Sequence, residues 1–414
     1  MAKPNIEVCV IGGGAAGMLA AGLISEKGLR VTVIEKNDGT CKKLGITGKG
    51  RCNITNDCSV REAIEAIPTN GRFLYSALSE FSPADTIKLF EKLGVPLKTE
   101  RGGRVFPVSD RAEDVVSALR CYASRGGVNI VKARAVSIRT EKDLVSAVIT
   151  DRGVYPCSCV LLAAGGMSYP HTGSTGDGYT IAASMGHNIV SPRPSLVPLC
   201  SPDSFCSEMQ GLSLRNVTLK AFDSKNKLIF KELGELLFTH FGISGPLSLS
   251  ASAHMRDFSN DRYRVSIDLK PGLDEMKLDR RILRDFEKYS NRDFINALSD
   301  LANRKMIPVL VKRSGISPDT KVHSITREQR LGLVRLFKDF SVEISGPRPI
   351  SEAIITSGGV DVREIDPKTM RSKIIRGLCF AGEVIDADAY TGGFNLQIAW
   401  STAYAAASHM GKEE

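Results

Sequence analysis

The sequence lacks the patterns that define several common classes of protein. Its ten cysteines include no CxxC pair, so it carries no signature of a zinc ribbon or a thioredoxin-type redox motif. Its six histidines are scattered without metal-ligand spacing, and we expect no bound metal. No run of about eighteen strongly apolar residues occurs, so we expect no membrane span.

What is present is typical of a globular protein with a large core. The chain has 414 residues, 42% of them hydrophobic and 24% charged, which is enough for two or three domains. Free thiols suit a reducing compartment, so we predict a cytoplasmic protein. The net charge of +9 is compatible with an anionic partner or with a solvated basic surface.

The first forty residues have the pattern of a nucleotide-binding βαβ unit. We predict a strand over Ile6–Ile11, a helix over Ala15–Lys27 and a strand over Arg30–Glu35. A GxGxxG motif at residues 12–17 joins the first strand to the helix, and its glycines permit a tight turn and close approach of a pyrophosphate. Glu35 ends the second strand, where a carboxylate can accept hydrogen bonds from ribose hydroxyls and disfavours a 2′-phosphate. The motif therefore predicts FAD or NAD in a parallel α/β fold.

A glycine-rich basic segment follows directly, over residues 39–56. We interpret it as a loop in which Lys43, Arg51 and Asn53 wrap a pyrophosphate and a ribityl chain, and this favours FAD. A solvated basic loop is the alternative. No second GxGxxG follows a strand, so we expect no separate NAD domain, although NAD(P)H remains a candidate transient electron donor.

Several motifs together carry a family resemblance. They include Lys43–Asn56, Arg101–Pro107, Ala163–Pro170, Gly173–Gly178, Ala381–Glu383 and Thr391–Gln397. With these motifs, in this order, the chain resembles the BaiN-like family of NAD(P)/FAD-dependent flavoproteins. More distantly, it is similar to fumarate reductase-type flavoproteins. Thr47 stands where the family commonly has Ser, a departure that keeps the hydroxyl.

The resemblance implies a Rossmann-like FAD-binding domain of the glutathione reductase type, discontinuous in sequence. Glu383 would bind the ribityl hydroxyls, and the start of the last helix would lie near the flavin. The motifs and the resemblance together predict these cofactor-binding residues: Gly12, Gly14, Ala15, Ala16, Gly17, Glu35, Lys36, Lys43, Arg51, Cys52, Asn53, Ala135, Val136, Gly165, Gly166, Gly382, Glu383, Gly393, Asn395 and Leu396. Cys52 is interpreted as structural, because no partner cysteine has the spacing of a disulfide flavoenzyme.

The flavin motifs occupy both ends of the chain and are missing from the middle. We therefore predict an FAD-binding domain over residues 1–194 and 341–414, with an inserted domain over 195–340. The insertion is predicted to be β-rich over 195–270 and helical over 271–340. We expect it to cover the flavin and shape a substrate pocket.

The predicted activity is an FAD-dependent oxidoreduction of a small molecule. The resemblance implies reduction of a carbon–carbon double bond conjugated to a ketone, with NAD(P)H as a candidate donor. Amine oxidation and tRNA modification are the alternatives, and a nucleic-acid partner is disfavoured because the basic insertion has no evident aromatic stacking platform. Tyr169, His171 and Tyr390 are candidates for a proton donor, or else are loop residues that pack on the cofactor.

Overall fold

The computed structural model describes residues 7–259 and 262–411. The described residues form two compact units, one comprising the chain up to Ser195 together with the chain from Pro349 onward, and the other Leu196–Arg348. The predicted boundaries were 194/195 and 340/341. The second differs because the strand that begins at Phe340 pairs with the strand Tyr263–Asp268 of the second unit.

The helices and strands have the following bounds. The helices are α1 (Ala15–Glu26), α2 (Lys42–Gly50), α3 (Val60–Glu65), α4 (Tyr75–Glu80), α5 (Pro83–Lys92), α6 (Ala112–Arg125), α7 (Asp177–Ser184), α8 (Phe205–Glu208), α9 (Pro246–Ser252), α10 (Glu275–Lys288), α11 (Phe294–Ala297), α12 (Ile307–Ser314), α13 (Arg327–Lys338) and α14 (Phe394–His409). The strands are β1 (Glu7–Ile11), β2 (Arg30–Glu35), β3 (Thr55–Asn56), β4 (Leu97–Glu100), β5 (Arg104–Pro107), β6 (Asn129–Lys132), β7 (Ala135–Glu141), β8 (Leu144–Thr150), β9 (Gly153–Pro156), β10 (Cys159–Leu162), β11 (Ile189–Ser195), β12 (Leu199–Cys200), β13 (Ser213–Phe222), β14 (Leu228–Thr239), β15 (Gly242–Ser244), β16 (Tyr263–Asp268), β17 (Phe340–Ile344), β18 (Gly346–Pro347), β19 (Ile355–Val360) and β20 (Leu378–Phe380).

A parallel sheet forms the centre of the first unit. Its order is β20-β10-β1-β2-β6, and every neighbouring pair is parallel. Its inner strands are mostly apolar and buried, as is typical of a sheet covered on both faces. Helix α1 packs against α6 and α14, which brings the two ends of the chain into one core.

The second unit has a separate core. Its seven-stranded antiparallel sheet has the order β17-β16-β13-β14-β15-β12-β18, and helices α10–α13 follow β16 in the chain. Apolar residues of the strands and helices share one buried cluster. Apart from β17 and β18, the arrangement of strands before helices follows the order expected from the sequence.

The segment 39–56, interpreted as a loop, contains a helix. Cys41 has a left-handed φ of 62° and precedes helix α2, whose regular geometry is interrupted at Thr47, Gly48 and Lys49. The glycines that suggested a loop are accommodated within a kinked helix. For the predicted first strand, Glu7–Ile11 is a strand and Ile6 lies outside the described residues.

Candidate functional site

A cleft of about 1230 Å³, counting its open mouth, lies at the carboxyl end of the parallel sheet in the first unit. The segments that follow all five strands line it. They are Gly12–Ala16 after β1, Glu35–Asn37 after β2, Ala133–Ala135 after β6, Ala163–Gly165 after β10 and Ala381–Glu383 after β20. Ligands of open parallel α/β sheets bind at this edge.

The glycine motif forms the floor of the cleft, and its glycines have different roles. Gly12 has a left-handed φ of 104°, and a Cβ there would collide with the Ala163 carbonyl. A Cβ on Gly17 would collide with the carbonyl oxygen of Gly12, so Gly17 permits helix–strand packing and does not itself line the cleft. Gly14 lines the cleft, and no heavy atom lies within 4 Å of a Cβ placed on it. The open space therefore lies directly at the amino end of α1, where backbone N–H groups bind anions.

Glu35 is buried and holds the glycine turn in place. Its Oε2 accepts a hydrogen bond from the Gly13 N–H at 2.8 Å. Its Oε1 accepts hydrogen bonds from the backbone N–H and the side-chain Nδ2 of Asn37, each at 2.8 Å. The carboxylate borders the cleft, so the predicted ribose ligand is in position and also supports the turn.

A cluster of three charged side chains lies near the β6 side of the cleft. Lys36 Nζ contacts Asp177 Oδ2 at 2.7 Å, and Arg134 contacts Asp177 Oδ1 at 2.8 Å. Burial opposes ionisation of Asp177, but hydrogen bonds from Lys36 and Arg134 hold its pKa below the ordinary value. Lys36 and Arg134 therefore share one carboxylate, and the cluster keeps one net positive charge.

Glu383 is the centre of a hydrogen-bonded network at the other end of the cleft. Its Oε2 lies 2.6 Å from Lys43 Nζ, and its Oε1 accepts hydrogen bonds from the Thr356 N–H at 2.8 Å and from Ser168 Oγ at 3.1 Å. Lys43 also donates to Ser168 Oγ at 2.6 Å. A Cβ on Gly166 would lie 2.7 Å from Glu383 Oε1, so Gly166 makes room for this network and does not line the cleft.

Helix α14 begins at the same end. Asn395 and Leu396 line the cleft, while Gly393, the N-cap with a φ of 101°, does not. The Asn395 side chain accepts from the Ala389 N–H at 2.9 Å and donates to the Ala389 carbonyl at 2.8 Å, so it fixes the preceding loop. The first turn contains no acidic residue, and its free N–H groups favour negative charge in the cleft.

Several predicted ligands lie elsewhere. Arg51 pairs with Glu100 and Asp110 and lies 4.1 Å from the centre of the Phe106 ring, so it fastens β4 and β5 instead of lining the cleft. Val136 is 56% exposed, because alternation along β7 turns it away from Ala135, which does line the cleft. Cys52 is fully buried, and burial raises the pKa of its thiol to about 12, as expected of a structural cysteine.

Asn53 does not line the cleft either, but its side-chain Oδ1 is buried and accepts no hydrogen bond from a described residue. Buried amide oxygens usually have a donor. This oxygen is available to a ligand that donates hydrogen bonds.

The candidate proton donors are also absent from the cleft lining. Tyr169 has a left-handed φ of 51° and packs edge-on against His171, with ring centres 5.9 Å apart. Burial raises the pKa of Tyr169. The Tyr390 backbone N–H donates to the Ala66 carbonyl, which directs this segment along α3. A role as proton donor stays a prediction for all three residues.

Residues that line the cleft but were not predicted as cofactor ligands include Asn37, Arg134, Asp177, Ile354 and Ile355. Asn37 lies two residues after Glu35 and could have been predicted from the sequence, because the end of a strand that provides one ligand often provides a second. Ile354 and Ile355 belong to no nucleotide motif.

The donor and acceptor groups of this cleft fit an FAD molecule. Open space at Gly14 admits a pyrophosphate, Glu35 is placed for a ribose, and Glu383 is placed for a polyol. The helix start at Asn395 supplies N–H groups at the other end. Among the described residues, no group of three or more His, Cys, Asp or Glu side chains is arranged to hold a metal ion. No helix within 7–259 and 262–411 is long and apolar enough to cross a membrane.

Comparison with known proteins agrees with the expected family. Residues 6–409 match the family described as HI0933-like protein Rossmann domain. The ribosomal RNA dihydrouridine synthase of Escherichia coli (strain K12) is 30% identical over 409 residues, which cover 98% of each chain. The 3-dehydro-bile acid delta(4,6)-reductase of Clostridium scindens is 30% identical over 410 residues, covering 97% of this chain and 98% of the relative.

A solved structure supports the fold. The 3-ketosteroid-delta4-(5alpha)-dehydrogenase of Rhodococcus jostii RHA1 covers 98% of each chain with a TM-score of 0.53 and 13% identity. At that identity the likeness concerns the fold alone. The predicted Rossmann-type FAD-binding α/β fold with additional β-rich and helical regions is confirmed, as is the predicted class of FAD-dependent oxidoreductase.

Proposed function

The chain belongs to the HI0933-like Rossmann family, and we propose that it reduces a carbon–carbon double bond conjugated to a carbonyl group. The observation that carries the proposal is a bond change common to two full-length relatives. Dihydrouridine differs from uridine by saturation of a ring double bond conjugated to a carbonyl, and a delta(4,6)-reductase of a 3-dehydro bile acid acts on double bonds conjugated to a ketone. Both relatives are equally similar to this chain, so the bond chemistry is a stronger inference than either substrate.

The residues of the cleft have defined roles in this proposal. The N–H groups at Gly14 and Ala15 would bind the pyrophosphate of FAD, Glu35 the adenosine ribose and Glu383 the ribityl hydroxyls, with Lys43 fixing Glu383. Bound FAD would supply a hydride, with NAD(P)H as the proposed source of electrons. The amino end of α14 would stabilise negative charge near Asn395 and Leu396.

A small conjugated ketone is the first candidate substrate. The relative named as a 3-dehydro-bile acid delta(4,6)-reductase matches 97% of this chain and supports a substrate of this kind.

A uracil ring in RNA is the second candidate, and the distribution of charge favours it. Residues 196–348 contain 25 Lys and Arg against 19 Asp and Glu, which gives +6 of the net charge of +9. Arg284, Arg304 and Lys312 are exposed and form no ion pair with any residue in the described part of the chain. Such side chains suit a phosphate backbone.

Anaerobic reduction and reoxidation tests the activity and separates the two substrates. The purified flavoprotein is reduced with NADH or NADPH and mixed with a 3-oxo-4,6-diene steroid or with ribosomal RNA that lacks dihydrouridine. We expect reoxidation of the flavin together with a product heavier by two hydrogens. If neither class reoxidises the reduced protein faster than buffer alone, the proposed reaction is wrong.

A charge-reversal variant tests whether RNA is the substrate. Replacing Arg284 and Lys312 by Glu removes exposed charges remote in sequence from the cleft residues. We expect turnover of RNA to fall and to lose part of its salt dependence, while turnover of a small ketone is unchanged. Equal RNA turnover by both proteins would exclude this surface as an RNA contact.

A further inference from the structure

A short segment crosses the carboxyl edge of the parallel sheet at the end of the cleft assigned to the adenosine half of FAD. Residues 172–177, which we call the lid loop, follow β10 and lead into α7. Four of them line the cleft: Thr172, Gly173, Ser174 and Asp177. In the sheet, β1 and β2 stand between β10 and β6. The lid loop must therefore pass the end of β1 before it meets residues that follow β2 and β6.

Ion pairs join the last residue of the lid loop to both of these strand ends. Asp177 Oδ2 lies 2.7 Å from Lys36 Nζ, directly after β2, and Asp177 Oδ1 lies 2.8 Å from Arg134, between β6 and β7. The side chains of Lys36 and Asp177 are only 25% and 17% exposed, so water screens their attraction in part. Lys36 Nζ also donates to Thr175 Oγ1. One carboxylate thus connects three separate segments of the cleft wall.

A hydrogen bond connects the first residue of the lid loop to the predicted ribose ligand. Asn37 Nδ2 donates to the Thr172 carbonyl at 3.1 Å and to Glu35 Oε1 at 2.8 Å. A Cβ on Gly173 would lie 2.3 Å from Asn37 Nδ2, so this close approach requires glycine. The lid loop is therefore held at both of its ends by side chains that follow β2.

The backbone of the lid loop has two points at which it can pivot. Gly173 and Gly176 have left-handed φ values of 102° and 83°. Glycine changes between such conformations and ordinary ones at little steric cost. Loops that open and close over binding sites commonly move about a few such residues.

We propose that the lid loop opens and closes the adenosine end of the cleft, so that it controls the entry and release of FAD, and that the ion pairs of Asp177 hold it closed. When both pairs break, the loop loses its connection to β6 and keeps only the hydrogen bond of Asn37. The glycine turn and Glu35 do not move with it, because the Gly13 N–H and Glu35 are bonded to each other. The inference uses the cofactor placement of the proposed function and does not depend on the proposed reaction.

A neighbouring ion pair provides a matched control. Asp38 and Lys132 form an ion pair that also joins the end of β2 to β6. Neither residue lines the cleft or belongs to the lid loop. Asp38→Asn therefore removes a carboxylate from the same strand ends without releasing the loop.

Rates of FAD exchange test the proposal. Asp177→Asn keeps the size of the side chain and removes its charge. We expect both uptake and release of FAD, followed by flavin fluorescence after rapid mixing, to become about 5- to 30-fold faster, with a smaller change in Kd. Both rates change because an open lid eases passage in each direction. Asp38→Asn should exchange FAD at the wild-type rates.

Two results of this experiment would overturn the proposal. Wild-type rates in Asp177→Asn would show that the ion pairs do not limit exchange. Faster release without faster uptake would show that Asp177 stabilises bound FAD instead of controlling its passage. Salt provides a parallel test, since it screens the pairs: release should accelerate with salt more steeply in the wild type than in Asp177→Asn, and equal slopes would contradict the proposal.

Hydrogen exchange in the cofactor-free protein tests the closed state without FAD. The Gly176 N–H donates to the Gly166 carbonyl at 3.1 Å, and its exchange should be faster in Asp177→Asn than in the wild type. The Ala163 N–H, bonded to the Ile11 carbonyl in the sheet, should exchange equally in both proteins. Equal exchange at Gly176, or faster exchange at Ala163 as well, would exclude a local lid. If the protein binds no FAD, the cofactor placement fails, and the exchange at Gly176 still decides whether the ion pairs hold the loop.

Discussion

The substitution Gly14→Ala should weaken cofactor binding without affecting the stability of the fold. Gly14 has φ −80° and ψ −165°, which alanine adopts without strain, and no heavy atom lies within 4 Å of the added methyl group. The stability of the cofactor-free protein should change by less than about 0.5 kcal/mol. The methyl group would occupy the space assigned to the pyrophosphate. Overpacking there of about 1.4–2.8 kcal/mol corresponds to roughly 10- to 100-fold weaker FAD binding.

Two other glycines make the comparison decisive. Gly17→Ala places its Cβ against the Gly12 carbonyl and should destabilise the fold itself by about 1–3 kcal/mol. Gly45 lies in α2 outside the cleft lining with open space around it, so Gly45→Ala should leave FAD affinity unchanged. FAD titration and urea unfolding of the three variants provide the assay. FAD affinity in Gly14→Ala equal to that of the wild type would refute the placement of the pyrophosphate.

The remaining predictions concern the carboxylates and thiols of the same unit. Glu35→Ala leaves the buried Gly13 N–H without its acceptor, so it should lower the free energy of unfolding by about 1–3 kcal/mol and also weaken the retention of flavin. Identical urea unfolding of the wild type and the variant, both without FAD, would contradict this. Glu383→Gln should weaken FAD binding, because the amide oxygen can still accept from Thr356 and Ser168 but an NH2 group replaces the oxygen that pairs with Lys43; equal flavin occupancy after gel filtration would exclude Glu383 as a ligand. Burial raises the thiol pKa of Cys41 and Cys52 to about 12, so iodoacetamide at pH 8 should label exposed Cys121 first; early labelling of Cys52 would show that its segment opens.

The parts of the site that sequence reasoning located are those with local physical causes. A strand, a glycine turn and a helix in immediate succession determine where Gly14 lies, and the end of the next strand determines where Glu35 lies. The start of α14 was equally accessible, because glycines precede an uninterrupted helical pattern. In each case the chemistry depends on neighbours within a few residues.

The errors arise where distant contacts decide. Arg51 lies in a basic segment, but its partners Glu100 and Asp110 belong to another part of the chain and draw it away from the cleft. Lys43 reaches Glu383 across 340 positions, and that pairing required the folded sheet. The helix in segment 39–56 was missed because glycine content outweighed a short helical pattern.

The mass of the chromophore released from the purified protein tests the central claim most directly. The glycine turn, Glu35 and the cleft along all five parallel strands fit a cofactor with an adenosine half, a pyrophosphate and a flavin half. The account predicts that heat releases FAD in a ratio near one per chain. Release of FMN, or of no flavin from a folded protein, would contradict it.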